Sequence, residues 1–240
     1  MLAAGAGTRL RPLTFLRPKA LCPVDNEPLV DRAVARARSV TDDIAVNVHH
    51  GRGAMESHLG GRVHLSIEEP AALGTAGALG LLRDWIAGRP VLVLNADAWH
   101  EADLTSFVAG WDGERVRLLT VLRPGEGTWG DHHYAGAALM PRSEVEPLRA
   151  EPSGLYEASW RHQTDLDLVV HDGPFFDCGT TADYLQANLT ASGGRSVVGA
   201  GAVVEGNLDE AVVWPGAVVG RGERLERAIR ADERLTVLVR

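Results

Sequence analysis

The run Gly5-Ala6-Gly7-Thr8-Arg9-Leu10-Arg11-Pro12-Leu13-Thr14, continued by Pro18-Lys19-Ala20-Leu21-Cys22-Pro23-Val24, constrains this chain more than any other stretch. It follows directly on Met1-Leu2-Ala3-Ala4. An apolar strand end running into a small-residue loop suits an open α/β sheet, where ligands sit beyond the carboxyl ends of the strands. Small residues let backbone N–H groups come close to phosphate oxygens. Arg9 adds a fork of donors that fits phosphate, and Lys19 adds a mobile point charge. Together they predict a site for a nucleoside triphosphate. The run is not a Walker A loop, because no Lys follows the glycines, and Arg11 stands near where a dinucleotide loop needs its third Gly.

The rest of the chain alternates helical and extended patterns. Residues 28–40 read as an amphipathic helix with Leu29, Ala33, Val34 and Ala37 on one face. Residues 44–48 and 63–67 read as strands, and 76–87 as a helix. Val91-Leu92-Val93-Leu94 is a continuous apolar run, as in a strand buried on both faces. Residues 116–122 and 135–140 are further strands, and 181–189 a helix with Thr180 or Thr181 as N-cap. Such alternation predicts a doubly wound, mostly parallel Rossmann-like sheet over residues 1–190. Only four residues precede the Gly loop, fewer than the about five or six of a typical strand. We therefore expect either a start upstream of Met1 or a less stable first strand.

After Asn188 the composition changes. Ala191-Ser192-Gly193-Gly194 reads as a linker. Over residues 195–240 apolar pairs recur with Gly at roughly six-residue spacing, as in Val197-Val198-Gly199 and Val218-Val219-Gly220. This predicts a short extension like a left-handed parallel β-helix, stacked on the first domain or on another subunit as a homo-oligomer.

Two carboxylates stand where metal chemistry would need them. Asp97 ends the buried strand in Asn95-Ala96-Asp97, and Asp177 sits in Phe175-Phe176-Asp177-Cys178-Gly179-Thr180. Mg2+ takes one or two carboxylates together with phosphate oxygens and water. The histidine pairs His49/His50 and His132/His133 lack metal-binding spacing and read as strand-end residues. A net charge of −8 with no basic tract argues against nucleic acid as partner. No apolar run approaches a membrane span. Cys22 and Cys178 form no disulfide framework, so a reduced cytoplasmic setting is expected.

The spacing G-x-G-T-R-L-x-P-L-T-x-x-x-P-K-x-L-x-P-V resembles the signature of the sugar-1-phosphate nucleotidyltransferases, the sugar-nucleotide pyrophosphorylases. Asn95-Ala96-Asp97 and Phe176-Asp177-Cys178-Gly179-Thr180 resemble that family's two metal motifs, although Thr181 stands where Pro is usual. Leu73-Gly74-Thr75-Ala76-Gly77 resembles the base-reading segment of guanylyltransferases, and Asn47-Val48-His49-His50 the mannose-1-phosphate guanylyltransferase branch. The resemblance implies attack of a sugar 1-phosphate on the α-phosphorus of a nucleoside triphosphate, with Mg2+ held by Asp97 and Asp177. It implies Arg9 on the leaving pyrophosphate and Lys19 and Asp97 at the reacting phosphate. It places Leu2, Ala3, Ala4, Gly5, Ala6, Gly7, Thr8, Glu69, Gly74, Thr75, Ala76, Asn95, Gly136 and Glu157 against the substrates. Tyr134-Ala135-Gly136 resembles the border of the sugar pocket, and Trp160 is a weaker candidate there. The family's Glu-Lys-Pro is missing from Leu122-Arg123-Pro124-Gly125-Glu126, which leaves the sugar open. A uridylyl- or thymidylyltransferase is the nearest alternative. A non-catalytic sugar-nucleotide sensor and an acyltransferase built on the repeat are the others.

Overall fold

A computed structural model describes residues 1–232 and 235–239. Its frame is a twisted sheet of six strands and one stub. We label the strands β1 (Ala45–Val48), β2 (His64–Ile67), β3 (Val91–Leu94), β4 (Arg117–Leu122), β5 (His132–Met140) and β6 (Asp167–Val170). The spatial order is β2, β1, stub, β3, β5, β4, β6. The stub is Leu2, bridged in parallel to Asn47 on β1 and to Asn95 just past β3. Leu2 donates to the Leu94 carbonyl (2.8 Å) and accepts from the Ala96 amide (3.0 Å). The first strand is thus one bridged residue at the centre of the sheet.

The half carrying the stub is parallel, as the alternation of helices and strands led us to expect. The other half is mixed. β5 inserts antiparallel between β3 and β4, while β4 and β6 pair in parallel. Its residues Ala135, Ala137 and Ala138 are fully buried, and such small side chains let helices on either face approach closely.

Helix α1 (Leu29–Ala37) buries Leu29, Val30, Ala33, Val34 and Ala37, the face its apolar spacing marks. Helix α2 (Arg52–Leu59) starts at Gly51, whose φ of 66° is left-handed. The expected helix over 76–87 is instead α3 (Gly74–Leu81) and a separate turn at Arg83–Ile86. Leu82, with ψ of 3°, breaks it. Helix α4 (Thr181–Ala191) is capped by Thr180, whose hydroxyl accepts from the Asp183 amide.

Gly77 and Gly80 place α3 against backbone, since a Cβ on Gly77 would overlap the Glu151 carbonyl and one on Gly80 the Arg149 carbonyl. Gly77→Ala should therefore destabilise the fold by about 1–3 kcal/mol, the usual scale of overpacking. A thermal melt equal to that of the unsubstituted protein would show that the 149–151 segment simply moves aside.

The C-terminal part is a coil of short strands. Val197–Val198 pairs in parallel with Val212–Val213, Val203–Val204 with Val218–Val219, and Asn207–Asp209 with Arg224–Glu226. Thr236–Leu238 closes it antiparallel on Ala228–Arg230. Inside it, Val213, Ala217, Val219 and Leu225 form a small core of their own. Its other face does not stand free. Val197, Val212, Trp214 and Ile229 share one cluster with Leu10, Leu13, Tyr184 and Leu185.

Candidate active site

The two candidate carboxylates meet because of a two-residue ladder. Trp99–His100 pairs antiparallel with Phe175–Phe176, in the register Trp99 to Phe176. Asp97 lies just before one strand and Asp177 just after the other, so both emerge at the same end. Between them stands Lys19, 9% exposed, on the short turn Lys19–Leu21. Its Nζ donates to Asp97 Oδ2 at 3.0 Å and to the Asp177 carbonyl at 2.5 Å. Gly7 makes room for it: a Cβ at that position would lie 3.0 Å from Lys19 Cβ and 2.9 Å from Thr14 Cγ2. Gly7 also has φ of 59° and accepts the Thr14 hydroxyl at 2.9 Å, so a left-handed turn and a close approach are needed at once.

Arg9 comes from the other side. Its Nη2 donates to Asp177 Oδ2 at 3.1 Å, in the open. Gly179 permits this, since a Cβ there would lie 2.5 Å from Arg9 Nη2. Burial raises the Asp177 pKa, but the Gly179 amide at 2.7 Å and the Arg9 and Lys19 cations outweigh it. The net shift is downward, so the carboxylate is ionised at neutral pH. Asp97 accepts one side-chain bond among the described residues, through Oδ2, and keeps Oδ1 open. Two half-open carboxylates beside a cation fit a divalent ion that also takes phosphate oxygens and water.

The loop itself offers donors. Among the described residues the N–H groups of Gly5, Ala6 and Gly7 donate to no protein acceptor. Gly5 is exposed, with open space where a Cβ would go. Backbone donors without a protein partner are what an anion-binding concavity offers. Leu2, Ala3 and Ala4 lead into the loop from within the sheet, and Thr8 opens the turn that carries Arg9.

The remaining candidates make contacts of their own outside this charged cluster. Asn95 and Gly136 face each other across the sheet: the Asn95 amide donates to the Gly136 carbonyl at 2.8 Å, and Gly136 has φ of 82°. The Tyr134 ring, two residues earlier, lies tilted at 55° with its centroid 4.9 Å from that of Trp160, whose indole N–H points to Met140 Sδ. Gly74, Thr75 and Ala76 hold the segment around Ser153. The Ala76 amide donates to the Ser153 carbonyl at 3.0 Å, and Thr75 Oγ1 accepts from the Leu155 amide at 2.7 Å. Glu69 is exposed and ion-paired to Arg52. Glu157 lies on the exposed side of the Leu155–Ala158 turn and touches none of the four charged residues of the cluster.

Glu68 escaped the sequence reading. It is fully buried, and its carboxylate accepts from Asn47 Nδ2 and from the Leu73 amide, both at 2.7 Å. Asn47 in turn accepts the Ala3 amide at 2.7 Å. One chain of bonds thus fixes the start of the Gly loop to the 73–77 segment. The only sequence signal was a pair of polar residues inside apolar strand ends. Both thiols are buried, and burial pushes that of Cys22 up to about 12, which leaves it unreactive at neutral pH.

The family model for nucleotidyl transferases matches residues 1–123. N-acetylmuramate alpha-1-phosphate uridylyltransferase of Caulobacter vibrioides is 35% identical over 73% of this chain and 78% of its own length. The chain belongs to the sugar-1-phosphate nucleotidyltransferase family. It is an enzyme that forms a nucleoside diphosphate sugar from a nucleoside triphosphate and a sugar 1-phosphate. Mannose-1-phosphate guanyltransferase of Schizosaccharomyces pombe is 39% identical over 62% of this chain and 44% of its own length. Among solved structures, one described as a mannose-1-phosphate geranyltransferase, from Thermus thermophilus, covers 98% of this chain and 93% of its own. Its TM-score is 0.72 at 17% identity, a likeness of fold that includes the C-terminal coil. Among the described residues, no helix of this nucleotidyltransferase is long and apolar enough to cross a membrane.

Proposed function

We propose that this nucleotidyltransferase moves GMP from GTP to a sugar 1-phosphate of the mannose type, releasing pyrophosphate. The observation that carries the assignment of roles is the lysine bridge. Lys19 holds the Asp97 carboxylate and the Asp177 backbone within one hydrogen-bond reach, beside a loop of unpaired amides. An oxygen of the sugar phosphate forms a bond to the α-phosphorus as the bond to the β-phosphate oxygen breaks. Lys19 neutralises the charge of the reacting phosphate, and Arg9 holds the departing pyrophosphate. The amides of residues 5–8 cradle the triphosphate, and no protein nucleophile is required. Mg2+, when bound, would offset phosphate charge, with Asp97 and Asp177 as its protein ligands.

The GTP choice rests on the 73–77 segment. UTP is the second choice, favoured by the 35% identical relative, whose name is that of a uridylyltransferase. A cytoplasmic setting suits two buried thiols without a disulfide, and assembly through the coil would use Val203 and Leu238, both exposed on it.

The deciding experiment crosses GTP, UTP, dTTP and ATP with a set of sugar 1-phosphates and reads pyrophosphate release. The GTP and mannose 1-phosphate pair is expected to be fastest. A faster UTP reaction would transfer the assignment to uridylyl transfer, and silence from every pair would reject the substrate class. Excess chelator should stop the best pair, and undiminished turnover in chelator would remove Asp97 and Asp177 from metal binding.

A further inference from the structure

The loop that carries Lys19 touches the C-terminal coil, and the contact is more specific than packing. Trp214 is fully buried where the coil meets the rest of the protein. The Arg17 guanidinium lies 4.3 Å above its ring. Its indole N–H donates to the Tyr184 hydroxyl at 2.9 Å, and that hydroxyl donates to the Pro23 carbonyl. One indole therefore fixes both ends of the segment from Arg17 to Pro23, with Lys19 between them. Tyr184 belongs to α4, which starts right after Asp177 and its glycine turn. The same indole thus also ties the Lys19 loop to the element behind Asp177. Trp214 is itself held in its coil, with its amide on the Arg230 carbonyl at 2.8 Å. On the opposite side Pro18 rests on Gly51, where any Cβ would collide with the proline ring.

We propose that Trp214, acting through Arg17 and Tyr184, is a positioning residue for nucleotidyl transfer, and that the C-terminal coil is in this sense part of the catalytic machinery. The inference rests on the role given to Lys19 above. The ammonium must meet Asp97 and the Asp177 carbonyl together, and a shift of about 1 Å in a charged group can cost about a hundredfold in rate. The cation–ring contact is desolvated on the ring side, the condition in which such contacts hold best. No substrate needs to touch Trp214.

The test uses the full chain. Arg17→Met removes the cation from the ring while leaving the buried indole in place. Arg17→Lys restores a cation. Trp214→Phe keeps a ring under Arg17 and loses the bond to Tyr184. We expect Arg17→Met and Trp214→Phe to lower kcat about ten- to a hundredfold, with KM for both substrates within about twofold. Arg17→Lys should recover most of the loss. Rates are taken well below each variant's Tm, so that every molecule is folded. Hydrogen exchange supplies a readout free of any substrate. The amides of Leu21 and Cys22, bonded to the Pro18 and Lys19 carbonyls at 2.9 Å, should exchange faster in both variants. Unchanged kcat with lowered Tm would make the coil a stabiliser only and overturn the proposal. Unchanged exchange at Leu21 and Cys22 would overturn it whatever the activity. A wild-type protein without pyrophosphate release in any substrate pair would instead sink the substrate assignment, and the exchange arm would still decide this one.

Discussion

Replacing Lys19 by Ala is expected to lower kcat by about 10²–10³, the scale of losing one preorganised charged donor. The fold should survive, because the change removes a side chain from a site that is open on its other side. Without the ammonium, the Asp97 carboxylate and the Asp177 turn lose the group that joins them. A triphosphate would then approach two carboxylates with only the exposed Arg9 to offset them. KM for the nucleotide should rise less than kcat falls, since the loop amides proposed to cradle the triphosphate are left in place. Arg9→Lys should be milder but visible, as a point charge replaces a fork. Steady-state rates with a circular dichroism melt check both. A Lys19→Ala protein with near-normal kcat/KM for every substrate pair would take Lys19 out of the chemistry.

Ending the chain before Ser196 is expected to do more than change solubility. Val197, Val212, Trp214 and Ile229 would be lost from the cluster that also holds Leu10, Leu13, Tyr184 and Leu185. Each large apolar side chain removed from water contributes about 1.5–3 kcal/mol. Four such losses rival the about 5–15 kcal/mol of a whole domain. The shortened chain should lack a cooperative melt or should aggregate, as light scattering would report. A monodisperse product with the full-length Tm would mean that the cluster closes over without the coil.

The charged part of the site was legible in the sequence because it is a matter of residue type and interval. Gly7, Arg9 and Lys19 lie close together in the chain, and Asp97 follows an unmistakable apolar run, although in the strand it forms only Val93 and Leu94 are buried. Asp177 was legible through its neighbours, a pair of aromatics before it and a small-residue turn after it. What joins Asp97 to Asp177 was not legible. The ladder between Trp99–His100 and Phe175–Phe176 is two residues long and carries no periodicity. The place of β5 was hidden for a similar reason: alternation reveals a strand, not its neighbours. The glycines at 74 and 77 illustrate a third limit. A motif read as facing a ligand can hold backbone against backbone, as both do here. Glu68 and Trp214 were passed over because a buried carboxylate and a buried indole are ordinary residues until their partners are seen.

The separation of those partners along the chain has a consequence for how the molecule is born. Lys19 meets the backbone of Asp177, Arg9 meets its carboxylate, and the Tyr184 hydroxyl meets Pro23. Each contact spans most of the polypeptide, and contacts of that kind form late because a long loop must close first. During synthesis the glycine loop leaves the ribosome early, yet Asp177 and Tyr184 emerge long after it, and Trp214 later still. A nascent chain can therefore hold every small-residue turn of the nucleotide loop and remain inert. Competence is expected only once Asp177, Tyr184 and Trp214 have all emerged, so turnover in a timed synthesis reaction would serve as a clock for that folding step.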